Sequence, residues 1–372
     1  MTKVGKELLA ELTGADTLGP FVSIMLNTHV AHQDVEKDQI KFKNFAKEAK
    51  KRFEKKYPAE DWNNYQTKLD AILADQSFWR SASKSVAVFV TAQDTWIHRL
   101  QIPIDDQYYV GDTPYVLGAI RNAQFNYTYY LLALNRDSMA LYFVDNGQIH
   151  PVDLPEGAPV DVPTALGEEI TGGNLNYRSQ GGQNGAQEAA YHGVNAKDEE
   201  VEIDWKNYYQ AVDTFLREDL DNAAGYPLYL FALPENQTMF KKYAKAPFFS
   251  TDAAVDSSPA NISNGDWEKV IAEISKQLAE KEVAGYQKLL DKKFMDQLVD
   301  ILPASKEGRV ANLFIATSNL VDGFGEDPDT EYDRRQVLNT LVINTLKNGG
   351  EAHLLAQKDA PDEKSLTAIL RY

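Results

Sequence analysis

A chain of 372 residues exceeds what one core of ordinary size needs, so two or three domains are expected, and its 43% hydrophobic and 25% charged content is that of a globular protein. The absence of cysteine excludes disulfides, thiolate nucleophiles and cysteine-based metal sites. With 55 acidic against 38 basic residues the formal charge is −17, which opposes the broad basic footprint nucleic-acid binders use; DNA is not an expected partner, and any RNA contact has to be local.

In chain order, "MTKVGKELLAELTG" reads as an amphipathic helical start without an apolar leader core, and no later stretch approaches the ~20 apolar residues of a membrane span. A cytoplasmic protein with no membrane partner is the expectation. "FVSIMLN" (Phe21–Asn27) and "SVAVFVT" (Ser85–Thr91) are short β-branched runs, and "TWIHRLQI" (Thr95–Ile102) alternates like a strand. Between them, Ile40, Phe42, Phe45, Ala46, Ala49 and Phe53 fall at helical spacing and predict a helix with one buried face.

From Tyr127 the runs "YTYYLLALN", "SMALYFVD" and "GQIHPVDLP" predict a three-stranded meander turned at "NRD" and "NG". A glycine-rich stretch follows, then a helix from about Asp204 to Leu220, with Trp205, Tyr208, Ala211, Val212 and Phe215 on one face, and a buried strand in "YPLYLFALP". Ser250–Asp266 has the composition of a connector. Beyond it the pattern predicts a long helix from Trp267 to about Leu302, broken at Gly285; a strand at Arg309–Thr317; a helix from about Asp333 to Asn348, stopped by Gly349–Gly350; and a last strand in "EAHLLAQ". The reading is an α/β protein of three α/β domains in series: residues 1–125, 126–262 and 263–372, the central one a mixed sheet with flanking helices.

The stretch Gly167–Gly193 holds seven glycines and the run "SQGGQNGAQEAAYHG". Gly-Gly-Gln alone arises by chance in roughly one chain in fifteen of this composition. Its setting adds to it, because a long glycine-rich loop carries a large ordering entropy and is kept for function or left disordered. Gly181 and Gly182 let the backbone approach a substrate closely enough for an N–H to face a developing oxyanion. Gln183 offers a donor and an acceptor that can orient a water, so an already activated ester needs no nucleophilic side chain. Asn184 and Gln187 have the spacing to cap a short following helix, and His192 is the one histidine nearby that could assist proton transfer, the plainer reading being that it caps or packs the base of the loop.

The order of features from Tyr129 to Tyr243 resembles the central domain of the archaeal and eukaryotic class-1 translation release factors and of Pelota. In it "YYLLALNRDSMALYFVDNGQIHPVDLP" stands for the opening hairpin, "SQGGQNGAQEAAYHG" for the loop that enters the peptidyl transferase centre, and "YQAVDTFLREDL" with "YPLYLFALPENQTMFKKY" for the helix, strand and helix that follow. "FVSIMLNTH" with its basic helix, and the terminal "LNTLVINTLKNGGEAHLL", are similar to the bacterial release-factor-like proteins. The resemblance implies a ribosome, rRNA and tRNA partner and hydrolysis of the peptidyl-tRNA ester, with Gly181 and Gly182 shaping the loop and Gln183 placing water. It leaves open a Pelota-like factor that occupies the ribosome without hydrolysis, or a fold reused away from ribosomes. The Asn-Ile-Lys-Ser element with which these factors read stop codons has no counterpart here, so stalled or idle ribosomes are the expected setting.

Positive charge concentrates in Lys41–Lys56, where Lys43, Lys47, Lys50, Lys51 and Arg52 are candidate phosphate contacts on what is otherwise an ordinary solvated helix face. The acidic run Asp322–Asp333 lacks calcium-loop spacing and reads as solvation. The six histidines form no spaced ligand pair; neither a metal nor a cofactor is expected.

Overall fold

The computed structural model describes residues 10–12, 19–29, 32–80, 83–167, 192–260, 262–291, 293–316 and 328–371. These form two compact units, residues 1–126 with 280–372, and residues 127–279.

In the first unit, β1 (Phe21–Asn27), β2 (Ser85–Val90), β3 (Thr95–Leu100) and β4 (Gln107–Gly111) make an antiparallel sheet in the order β3-β2-β1-β4. β1 and β2 are apolar on both faces because both faces are covered. On one side lies α1 (His32–Lys56), which buries Phe42, Ala46, Ala49 and Phe53, together with α2 (Asn63–Ala74) and α3 (Gln76–Trp79). Ile40, assigned to the buried face by spacing, is exposed; Asp38 takes the inward position, its carboxylate accepting the His29 N–H at 2.8 Å. The other side packs on α4 (Leu117–Phe125), and on elements from the far end of the chain.

Those elements are β10 (Phe294–Met295), α9 (Leu298–Lys306), β11 (Val310–Ala316), α10 (Pro328–Lys347), β12 (Glu351–Leu355) and β13 (Leu366–Leu370), the strands ordered β10-β13-β11-β12. α10 begins five residues before the expected Asp333, since Pro328 suits a first helical position and Asp329 and Glu331 favour the positive end of the helix dipole. It ends as the sequence predicts: the Gly349 N–H bonds the Leu346 carbonyl at 3.0 Å and the Gly350 N–H the Thr345 carbonyl at 2.8 Å, with Gly349 at φ 79°. One core joins Met25, Phe89 and Leu100 to Leu117 and Ile120 of α4, and to Leu313, Ile315, Leu341, Leu346 and Leu370. Polar ties reinforce it. Asn339 accepts the Val116 N–H and donates to the Pro114 carbonyl, both at 2.9 Å, and the Tyr332 hydroxyl donates to the Val110 carbonyl at 2.9 Å. Residues 1–126 and 280–372 form one unit because this core belongs to both.

The second unit is a mixed five-stranded sheet, β7-β6-β5-β8-β9, built from β5 (Tyr129–Leu134), β6 (Met139–Asp145), β7 (Gln148–Pro151), β8 (Leu228–Phe231) and β9 (Phe249–Val255). β5, β6 and β7 form the predicted antiparallel meander, with Asn146 and Gly147 both at positive φ in its second turn. β8 joins β5 in parallel and β9 joins β8 in parallel. β9 lies partly in the stretch read as a connector: its polar residues, Ser250 to Asp252, mask a strand at the sheet edge. One face is covered by α6 (His192–Glu218) and α7 (Pro234–Tyr243), which bring Tyr208, Tyr209, Val212, Phe215, Leu216 and Phe240 onto Leu132, Leu141 and Leu230. The other receives Val270, Ile274 and Leu278 of α8 (Asn264–Gln287). The sequence reading set a boundary at 262, whereas this helix packs on the central sheet. It also runs through Gly285 unbroken and gives way only at a 3₁₀ turn, Lys288–Asp291.

Candidate functional site

Gly181, Gly182 and Gln183 lie outside the described residues, as do Asn184, Gln187 and the side chain of His192. The structure defines the frame on either side of them. On the N-terminal side the chain leaves β7 and reaches a short helix, α5 (Val162–Leu166), capped by Asp161, whose carboxylate accepts the Thr164 N–H at 2.8 Å and is held below its usual pKa by that residue. α5 closes at Gly167, φ 79°. On the C-terminal side α6 is fastened beneath it: the Tyr208 hydroxyl donates to the Pro159 carbonyl at 3.0 Å, the Tyr209 hydroxyl donates to the Asn135 carbonyl at 2.9 Å, and Val162 and Ala165 pack on the same cluster. Burial raises the pKa of both tyrosines, so they remain protonated donors at neutral pH.

Two charged features of this unit went unread in the sequence. Arg136, in the β5–β6 turn, places its guanidinium 4.7 Å from the centre of the Trp205 ring. Asp213, 3% exposed, accepts the backbone N–H groups of Lys245 and Ala246 at 2.7 and 3.0 Å and pairs with Arg217 Nε at 3.1 Å. Asp213 is thereby a structural acceptor, fixing the chain between α7 and β9.

The candidate phosphate contacts all lie on α1, and the structure sorts them. Lys43 and Lys47 point to solvent; Lys50 is partly exposed and 3.8 Å from Glu54, and Lys51 is 2.7 Å from Glu48. Exposed pairs of this kind hold a lysine weakly, contributing about 0.3–0.5 kcal/mol each. Arg52 is different. Its Nε donates to the Tyr108 hydroxyl at 3.0 Å, its guanidinium lies 3.9 Å from the centre of the Tyr332 ring, and it pairs with Asp329. Arg52 therefore fastens α1 to the first turn of α10, and the acidic run read as solvation contributes Asp329 to that fastening.

The described part of that run also contains Glu331, which braces two arginines. Its Oε1 accepts from Arg335 Nε at 2.7 Å, and its Oε2 lies 3.5 Å from Arg334 Nη1. These three residues line a cavity of about 40 Å³ in the first unit, with Asp105, Gln107 and Arg121 opposite. Sequence reading missed this constellation because its members are more than 200 residues apart in the chain. Among the described residues no group of three or more histidine or carboxylate side chains has a metal-binding arrangement, and no helix is long and apolar enough to cross a membrane.

The second unit is a sheet of an antiparallel meander and two parallel strands with helices on both faces, and residues 127–277 match the model of the Bacterial archaeo-eukaryotic release factor family 6. Over that segment the chain is similar to release-factor-like proteins, the class its sequence resembles. Among solved structures it is similar to Pelota of Archaeoglobus fulgidus, with 12% identity and a TM-score of 0.37, over 77% of this chain and 79% of that one. It is also similar to Dom34 of S. cerevisiae, a translation termination-like factor, with 10% identity and a TM-score of 0.36 over 80% and 78%. The archaeal translation termination factor aRF1 aligns at 10% identity and a TM-score of 0.23 over 100% and 98%. No curated protein matches the chain.

Proposed function

We propose that the protein acts on ribosomes as a release-factor-like peptidyl-tRNA ester hydrolase, with Gly181, Gly182 and Gln183 as its reactive element. The observation that carries this reading is the place of the tripeptide: it falls within the segment matched by the release-factor family, between α5 and α6. Gly182 supplies a backbone N–H unobstructed by a β-carbon, and Gln183 orients the attacking water. Lys43, Lys47, Lys50 and Lys51 contact RNA phosphates locally, against a chain whose net charge of −17 repels RNA elsewhere. Arg52 supports that surface by holding α1 in place.

Two measurements test it. Four phosphate contacts make ribosome association fall by about 10²-fold between roughly 50 and 200 mM salt, so co-sedimentation across a salt series is expected to show a steep loss; no sedimentation at the lowest salt overturns the ribosomal reading. Release of a labelled peptide from stalled ribosome complexes is expected from the wild type and reduced ~10²–10³-fold in Gly182→Ala, with association unchanged. Normal binding without release by the wild type replaces hydrolysis with a Pelota-like, non-catalytic role.

A further inference from the structure

The cavity between Asp105, Gln107, Arg121, Glu331, Arg334 and Arg335 stands apart from the release-factor-like unit, and nothing in the proposed function uses it. Three arginines converging in a chain of net charge −17 call for an explanation. Two are accounted for: Glu331 receives Arg335 and faces Arg334, and Arg335 also donates to Gln107. Arg121 is balanced only in part, by the charge of Asp105, whose pKa it helps to lower against burial. The Arg121 Nε is buried, and among the described residues no acceptor is within hydrogen-bonding distance of it. A buried donor left without a partner costs on the order of 1–3 kcal/mol and marks a missing acceptor.

The size and walls of the space say what that acceptor is. About 40 Å³ corresponds to roughly three water-sized spheres, the bulk of a carboxylate or phosphate group. Apart from Tyr115, the rest of the lining is apolar, chiefly Ile104, Leu117, Ile315, Leu338 and Leu354. An open recess of about 480 Å³, lined by Ile102, Pro103 and Phe125, shares Ile104, Asp105 and Arg121 with the cavity and offers room for an apolar body. With both acidic side chains ionised, the three arginines still leave the lining one charge positive. Burial also raises the pKa of Asp105, weakening the carboxylate that would oppose an anion.

We propose that this cavity binds a small organic oxyanion, its carboxylate or phosphate head on Arg121 beside Arg334 and Arg335 and its apolar body in the adjoining recess. Arg121 completes its hydrogen bonding only when the head is present, while the pairs to Glu331 hold the other two guanidinium planes in position. The site is independent of the ribosomal reading and survives its failure.

The test uses the full chain with phenyl phosphate, benzoate and phenol in titration calorimetry and thermal unfolding at constant ionic strength. At least one of the two anions is expected to bind saturably, with a Kd on the order of 1 mM or tighter, and to raise Tm; phenol is expected to do neither. Arg121→Met, which removes no hydrogen bond within the protein, is expected to keep the unliganded Tm and weaken the anion at least tenfold. Asp105→Asn is expected to tighten it severalfold and decides the matter if Arg121→Met does not fold. Lys276→Glu, on the exposed face of α8, is expected to leave binding unchanged and separates the cavity from diffuse surface charge. Binding of neither anion, equal binding of phenol, or binding that Arg121→Met and Asp105→Asn both leave unaltered overturns the proposal. Phenyl phosphate and benzoate, compared with each other, assign the head as phosphate or carboxylate.

Discussion

Lowering the pH should destabilise the first unit through one residue, His353. The ring sits on β12 opposite Phe314 of β11, 6% exposed, stacked on Phe314 at 4.8 Å and close to Tyr286 at 4.6 Å, with Nε2 3.0 Å from Asn312 Oδ1. Burial pushes its pKa down to about 4 from the ordinary 6.5. Glu351 Oε2, 3.6 Å from Nε2, pulls the other way, but its side chain is 43% exposed and solvent screens it, so burial prevails. A depressed histidine pKa means that the unfolded chain takes up the proton first. Stability is therefore intact above about pH 6.5, falls as the pH drops from there towards 4, and then levels off. The full loss is about 3 kcal/mol, of which about 2 is incurred by pH 5. Denaturant unfolding of wild type and His353→Gln at pH 7.5 and 5 isolates the effect, because other titrating groups cancel in the double difference. The wild type is expected to lose about 2 kcal/mol more than the variant over that interval. Equal losses, or a His353 pKa above 5.5 by nuclear magnetic resonance, refute the reasoning.

Three further outcomes follow from single contacts. A β-carbon on Gly350 would lie 2.7 Å from both Thr345 Cγ2 and the Val310 carbonyl oxygen, so Gly350→Ala should cost about 1–3 kcal/mol in thermal unfolding, more than Gly225→Ala, which meets only a φ of 69° in open space. Asp213→Ala strands two backbone N–H groups and Arg217 and should lower the stability of the central unit by about 2–4 kcal/mol, with Asp213→Asn recovering part of the loss. Arg52→Met and Asp329→Asn should each loosen the first turn of α10 by about 1 kcal/mol in hydrogen exchange, and the double variant should cost less than the sum of the two; strict additivity would show that the pair is not coupled.

What could be read in the sequence was whatever carried a period or a punctuating residue. β1 matches its expected span at both ends because five of its seven residues are apolar and the run is bounded by turns, and the end of α10 is fixed by a glycine at the position requiring positive φ. β13 was missed because "LTAIL" is five residues long and follows a polar, proline-containing stretch, and β4 because "QYYVG" is equally short and has no apolar–polar alternation. The arginine cavity illustrates a different limit. Arg334 and Arg335 stand beside an acidic run, and in sequence that neighbourhood reads as mutual solvation, since each charge has a partner within four residues. In the fold, Glu331 does pair with both, and that pairing lets them present a rigid guanidinium wall to Arg121, contributed by a helix more than 200 residues earlier. Local charge balance thus conceals the site: a neutralised cluster and a pre-organised one have the same sequence, and only the arrival of an unmatched third arginine across the core separates them.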